Sequence, residues 1–276
     1  MEAGGEESSP SKRQKTEPGG GKHVAAVITG ANRGIGLALA ERCVEAGWSV
    51  VCMCRDAKQG EERLAPLRAK LADGRRLSVV HLDIGGTLED AERAGRDALA
   101  AMEGTGAAFE VLFNNAGVNV PSHPYQPITD TNIASKAEML RVFEVNVVGT
   151  LQVCQAMVPL LQLKKVLNIS SRQGSLELAF KAAREDGIPE GAGVYGVSKA
   201  AQNMLSRQLA LNYEAQGVSV VAVSPGWVAT DMGSSGGRTP RLTSSQSAAG
   251  LFSVAEGLTM ARTGLFLNYD GSTLPY

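Results

Sequence analysis

The chain of 276 residues is poor in the side chains that carry metal and covalent chemistry. It holds three histidines, His23, His81 and His123, scattered along the sequence, and four cysteines, none of them spaced with a histidine as metal ligands are. No metal centre is expected. Cys52 and Cys54 lie inside an apolar run and read as buried, reduced thiols, which points to the cytosol or the nucleus. An excess of one charge is lacking too. The formal net charge of −1 gives no electrostatic reason to expect nucleic acid or an anionic membrane as a partner. No apolar run reaches the length of a membrane span, and the N-terminus has no apolar core of the secretory-signal kind. Repeats of the solenoid type are absent. What is left is an ordinary globular composition, 43% hydrophobic and 20% charged, long enough for one large α/β domain or two small ones.

Residues 1–23 are rich in Gly, Ser, Pro, Glu and Lys and contain no aromatic residue, so they are expected to form a disordered tail. Within it Lys12-Arg13-Gln14-Lys15 reads either as solvated tail or as a nuclear-import signal. From residue 24 to 276 the pattern is that of one domain. Val24–Thr29 is an apolar strand, followed by Gly30-Ala31-Asn32-Arg33-Gly34-Ile35-Gly36 and a helical pattern that Gly47 stops. A strand, a glycine-rich turn and a helix N-terminus form an anion site, with backbone N–H groups and the helix dipole aimed at a phosphate. Ser49–Cys54 is a second strand, with Arg55 just past its end. An acidic residue at that place accepts from the ribose 2′-OH of NAD, whereas an arginine suits the 2′-phosphate of NADP. Arg33 offers a second positive charge, while Asp56, if it faced the ribose, would favour NAD.

Further strands are expected at Leu77–Leu82, which delivers Asp83 to a carboxyl end, and at Val111–Phe113, which runs into Asn114-Asn115-Ala116-Gly117. The loop after Gly117 holds Pro121, Pro124 and Pro127 and should be irregular. A long helix capped by Ser135 runs to about Leu160, and Asn146 in its apolar part needs a hydrogen-bond partner. Lys165–Ile169 ends at Ser170 and Ser171, Ser219–Ser224 is a sixth strand, and Gly264–Tyr269 a seventh. Strands alternating with helices argue for an α/β fold: a single Rossmann-type, doubly wound domain, its parallel seven-stranded sheet covered by helices on both faces.

On the helix expected from Tyr195 to Gln216, Tyr195 and Lys199 are four apart and share one face. An ammonium beside a phenol favours the phenolate, which suits the tyrosine to acid–base work near neutral pH. Taken in order, Thr29-Gly30-x-x-x-Gly34-x-Gly36, Asn114-Asn115-Ala116-Gly117, Asn146, Ser171, Tyr195-x-x-x-Lys199 and Pro225-Gly226 resemble the short-chain dehydrogenases/reductases. Arg33 and Arg55 are similar to the NADP-preferring members. Pro225–Met232 resembles the carbonyl-reductase branch, and Asn268–Pro275 the C-factor/sniffer-like members.

The resemblance implies roles. Gly30, Asn32, Gly34, Ile35 and Gly36 would surround the pyrophosphate of NADP(H) and its neighbouring ribose. Arg33 and Arg55 would hold the 2′-phosphate, Asp83 would meet adenine and Asn115 would lie along the cofactor. Val228 and Thr230 would hold the carboxamide. Tyr195 would be the general acid/base, with Lys199 lowering its pKa and binding the nicotinamide ribose. Ser171, rather than Ser170, would hydrogen-bond the substrate oxygen, and Asn146 would anchor a proton-relay water. The activity implied is NADPH-dependent reduction of an aldehyde, ketone or quinone. The alternative is a cofactor-binding sensor without turnover, against which stands the presence of all four catalytic residue types. Ser171 and Tyr195 are separated by an insertion, within Arg172–Val194, that is similar to the extra helix of monomeric carbonyl reductases. It implies a monomer or dimer rather than a tetramer, and reads either as a pocket wall or as a solvated loop.

Overall fold

The computed structural model describes residues 23–120, 127–131, 134–188 and 191–276. The basic cluster Lys12–Lys15, nearly all of the expected tail and two of the three loop prolines lie outside them. The described chain opens at His23. The carbonyl of His23 accepts from the Ala108 N–H, and its ring bonds the Thr105 carbonyl and Ser49 Oγ at 2.9 and 2.8 Å. His23 is therefore stitched to the first strand's neighbours.

The strands β1 (Val24–Thr29), β2 (Ser49–Cys54), β3 (Leu77–His81), β4 (Ala108–Asn114), β5 (Lys165–Ile169), β6 (Ser219–Ser224), β7 (Phe266–Asn268) and β8 (Thr273–Leu274) form one sheet in the order β3-β2-β1-β4-β5-β6-β7-β8. Every pair is parallel except the last. The strand order reverses between β1 and β4, which is where a doubly wound sheet opens a crevice at its carboxyl edge. Among the described residues the sheet has eight strands, not seven. The turn through Asp270-Gly271 folds β8 back against β7, and a two-residue strand is too short to show a period in sequence.

The strands are apolar on both faces because both are covered. On one face Ala26, Ile28 and Cys52 pack with Leu39 of α1 (Gly34–Glu45), Leu64 of α2 (Ala57–Arg68) and Phe252 of α8 (Ser244–Glu256). On the other, Ala25, Val27 and Val51 pack with Ala94 of α3 (Leu88–Ala101), Met157 of α5 (Thr150–Leu160) and Leu209 of α7 (Gly193–Tyr213). The remaining helices are α4 (Lys136–Phe143) and α6 (Ala179–Glu185). Thr87 and Asp90 form a reciprocal capping box at α3, and Ser135 accepts from Glu138 N–H at α4.

The helix expected as continuous from Ser135 to Leu160 is interrupted. Glu144–Gly149 is a π-helical turn between α4 and α5, and Asn146 lies within it. Among the described residues no helix is long and apolar enough to cross a membrane.

Candidate active site

The carboxyl ends of β1, β2, β4, β5 and β6 open into one cleft of about 960 Å³. At its floor, the turn after β1 is held from below. Asn115, just past β4, donates from Nδ2 to the carbonyls of Thr29 and Gly30 at 3.0 and 3.2 Å, while Thr29 Oγ1 accepts from the N–H groups of Asn115 and Ala116, both at 3.0 Å. Gly36 is buried beneath this turn and does not line the cleft. A Cβ there would enter the van der Waals shell of the Gly30 carbonyl and lie 2.6 Å from Asn115 Nδ2. The glycine at 36 thus serves the closeness of helix and turn. Gly36→Ala is expected to lower stability by roughly 3 kcal/mol, read as a fall in the urea midpoint at unchanged slope.

Gly30, Asn32, Arg33, Gly34 and Ile35 all line the cleft. Arg55 and Asp83 line it at the β2 and β3 end, both exposed. Asp56 lines the cleft as well, and its carboxylate caps α2 by accepting from the Gln59 N–H at 2.9 Å. Gln59 in turn accepts from Asn32 Nδ2 at 2.7 Å. Arg63 stands one helical turn beyond Gln59 and also lines the cleft, a cation the sequence reading passed over although its i+4 spacing from Gln59 places it on that face. Arg33 reaches across the cleft mouth to Asp231, 2.7 Å away, with both side chains largely exposed. That pair contributes only about 0–1 kcal/mol and leaves Arg33 readily redirected to a better anion.

At the other end, Val228 and Thr230 follow β6 and line the cleft, with Thr230 Oγ1 accepting from the Gly233 N–H at 3.1 Å. Ser171 follows β5. Its Oγ accepts from the Gln173 N–H at 3.1 Å, capping a single 3₁₀ turn, and the residue is partly exposed. Ser170 is 1% exposed and its hydroxyl donates to Asn203 at 2.5 Å. Tyr195 and Lys199, in the first turns of α7, line the same cleft, with Nζ 5.6 Å from the centre of the phenol ring. Lys199 is only 3% exposed, and Nζ donates to the Ile169 carbonyl at 2.8 Å and to Gln202 Oε1 at 2.7 Å. Burial lowers its pKa to about 7.

Asn146 is fully buried and does not line the cleft. Its Oδ1 accepts from the Val118 N–H at 2.8 Å, and its Nδ2 donates to the Val118 carbonyl and Ser198 Oγ at 2.9 and 3.0 Å. The partners that a buried amide requires are thus the loop after β4 and α7. Gly117 lies between Asn146 and Lys199: a Cβ on it would stand 3.2 Å from Asn146 Oδ1 and 3.5 Å from Lys199 Nζ.

The described residues of the insertion contribute to the cleft wall. Arg172 pairs with Glu185 at 2.8 Å and with Asp186, which also accepts from Gln173 Nε2 at 2.7 Å. Asp186 and Ile188 line the cleft together with Trp227 and Met232. Arg172 and Gln173, next to Ser171, therefore tie the insertion to the end of β5. No spacing rule in the sequence pairs residues 172 and 186 across a helix.

The arrangement can hold a dinucleotide. A glycine turn at a helix N-terminus faces the middle of an elongated crevice, uncommitted or weakly committed cations stand at one end, and a phenol, a hydroxyl and an ammonium converge at the other. Comparisons agree with this geometry. The description "short chain dehydrogenase" matches residues 24–240. The C-signal protein of Myxococcus xanthus is 38% identical over 170 residues, which cover 60% of this chain and 92% of that protein. Galactitol 2-dehydrogenase of Rhizobium johnstonii is 32% identical over 210 residues, covering 75% of this chain and 72% of that one. A crystal structure of NADPH-bound carbonyl reductase from chicken fatty liver superposes with a TM-score of 0.76 at 28% identity, covering 92% of this chain and all of the other. The chain belongs to the short-chain dehydrogenase family.

Proposed function

We propose that the protein is an NADPH-dependent reductase of small carbonyl compounds, an aldehyde, ketone or quinone. The observation that carries this reading is that Ser171, Tyr195 and Lys199 line one end of a cleft whose middle is the glycine turn and whose other end holds Arg55 and Arg63. Bound nicotinamide supplies the hydride. The chain's residues do the rest. As the carbonyl oxygen gains negative charge, Ser171 Oγ–H and Tyr195 Oη–H donate to it, and the Tyr195 proton passes to that oxygen to give the alcohol. Lys199 is the cation next to the phenol and eases its deprotonation. Asn146 holds the loop after β4 against α7, and a relay of protons through Lys199 would start from there.

NADP(H) is favoured over NAD(H) because two arginines, Arg55 and Arg63, line the β2 end, and one oxygen of the neighbouring Asp56 caps α2. Arg55→Ala is expected to weaken NADPH binding by about tenfold and NADH binding by less than about twofold, measured by quenching of protein fluorescence. The reading itself is tested by following NADPH and NADH consumption against a panel of aldehydes, quinones and diketones. Turnover that prefers NADPH supports it. Preference for NADH would overturn the assignment of the arginines, and tight NADPH binding without turnover of any panel member would favour a cofactor-binding sensor.

A further inference from the structure

Behind the cleft lies a buried amide that the proposed reaction does not use. Gln202 is on α7, three residues beyond Lys199, is 0% exposed and lines no part of the cleft. Its Oε1 accepts from Lys199 Nζ at 2.7 Å, and its Nε2 donates to Thr150 Oγ1 at 3.0 Å. Thr150, also fully buried, donates its hydroxyl proton to the Asn146 carbonyl at 3.0 Å. Three hydrogen bonds thus run from the ammonium to the first turn of α5 and back to the π turn.

The chain has one direction. Because the Thr150 proton is spent on Asn146, its oxygen is an acceptor toward Gln202, so the amide must present its N–H₂ to Thr150 and its oxygen to Lys199. A flipped amide would set N–H₂ against an ammonium and oxygen against oxygen. Thr150 therefore fixes an acceptor on the one face of Lys199 that neither substrate nor cofactor can reach. The other groups around the ammonium are the Ile169 carbonyl from β5, the backbone at Gly117 and the ring of Tyr195, of which Tyr195 is the titratable one. Among the described residues no carboxylate pairs with Lys199. A cation in so dry a place depends on neutral acceptors to stay charged.

We propose that Gln202 is a positioning residue for Lys199: held in orientation by Thr150, it fixes the ammonium beside Tyr195 and keeps it protonated. The charge state of Lys199 is a property of the folded chain whether or not it turns over; the consequence for turnover rests on the reductase reading.

The test is a titration of Lys199 by ¹³C NMR of its Cε carbon in full-length protein carrying labelled lysine, with Lys199→Arg assigning the signal. Gln202→Met removes the acceptor at similar volume, and Thr150→Val removes the tether but leaves the amide. The midpoint is expected to fall by about one pH unit in Gln202→Met, by less in Thr150→Val, and to rise in Gln202→Glu, which restores an acceptor. With a carbonyl substrate, Gln202→Met is expected to lower kcat about tenfold at pH 8 with KM for that substrate unchanged, and Gln202→Glu to recover part of the loss. A Gln202→Met protein that melts cooperatively and titrates at the wild-type midpoint overturns the proposal; if that variant does not fold, an unmoved midpoint in Thr150→Val does so. Shifted midpoints with no turnover in any variant would leave Gln202 in its place and sink the reductase reading instead.

Discussion

Tyr195→Phe is expected to lower kcat for carbonyl reduction by roughly 10³-fold while leaving NADPH affinity within about threefold of wild type. The two halves have separate causes. Loss of the phenol removes both a hydrogen-bond donor at the developing alkoxide and the proton that completes the alcohol, and Ser171 can replace only the first. General acid–base catalysis alone is worth about 10²–10⁴, and a single donor to a developing oxyanion about 10²–10³. The ring itself is only partly exposed and packs near Ala183, Ile188 and Ala192, contacts that phenylalanine keeps. Single-turnover reduction after mixing enzyme with NADPH and substrate separates the chemical step from binding. A loss below about tenfold would mean that another group carries the proton.

Lys199→Met is expected to act in opposite directions on activity and on the pH dependence of stability. Activity should fall by at least about 10²-fold, because the phenol loses its neighbouring charge. For stability the sign follows from burial. Below about pH 7 the folded and unfolded chains both hold the lysine proton, and the folded state bears the full desolvation cost. Above that value the folded chain gives up the proton first, so unfolding takes one up, and this group makes the folded state more stable as pH rises, by at most about 1.4 kcal/mol per pH unit. The wild type should therefore gain on Lys199→Met between pH 7 and pH 8.5 in urea unfolding. The window stops there because burial raises Cys154 and Tyr213, both to about 12, and unfolded thiols release protons near pH 9. Parallel stability curves for the two proteins would contradict the buried, uncompensated charge.

How far the sequence could be read depended on how local each determinant is. The β1 strand, its glycine turn and α1 are contiguous, so polarity and glycine placement announced them. Tyr195 and Lys199 are four apart on one helix, and their shared face was equally plain. Asp56 is ambiguous in sequence because either of two neighbours could face a ribose; in the fold both line the cleft, and only Asp56 also caps α2, through one backbone N–H. The pairing of Arg172 with Asp186, the reach of Arg33 to Asp231 and the chain from Lys199 through Gln202 to Thr150 each join distant segments, and no periodicity encodes them. Gln202 looked like any polar residue on a helix, and only the packing of α7 against α5 and the π turn exposes what it touches. β8 escaped notice because two residues cannot show alternation.

The π turn at Glu144–Gly149 bears on which changes in chain length this protein can accept. Each α-helical residue advances the helix by about 100°, and a π turn holds one residue more than an α-helical turn. Deleting a single residue there would close the turn into ordinary α-helix and leave α4 and α5 on their present faces, because the turn itself absorbs the extra residue. The cost would fall inside the turn, on Asn146 and its bonds to Val118 and Ser198, while Thr150 would keep its place beside Gln202 and Met157 its place in the core beneath α3. Insertions and deletions are ordinarily best tolerated in loops; here a helix interior has room for one residue more or fewer without turning α5, and what that residue decides is where Asn146 stands.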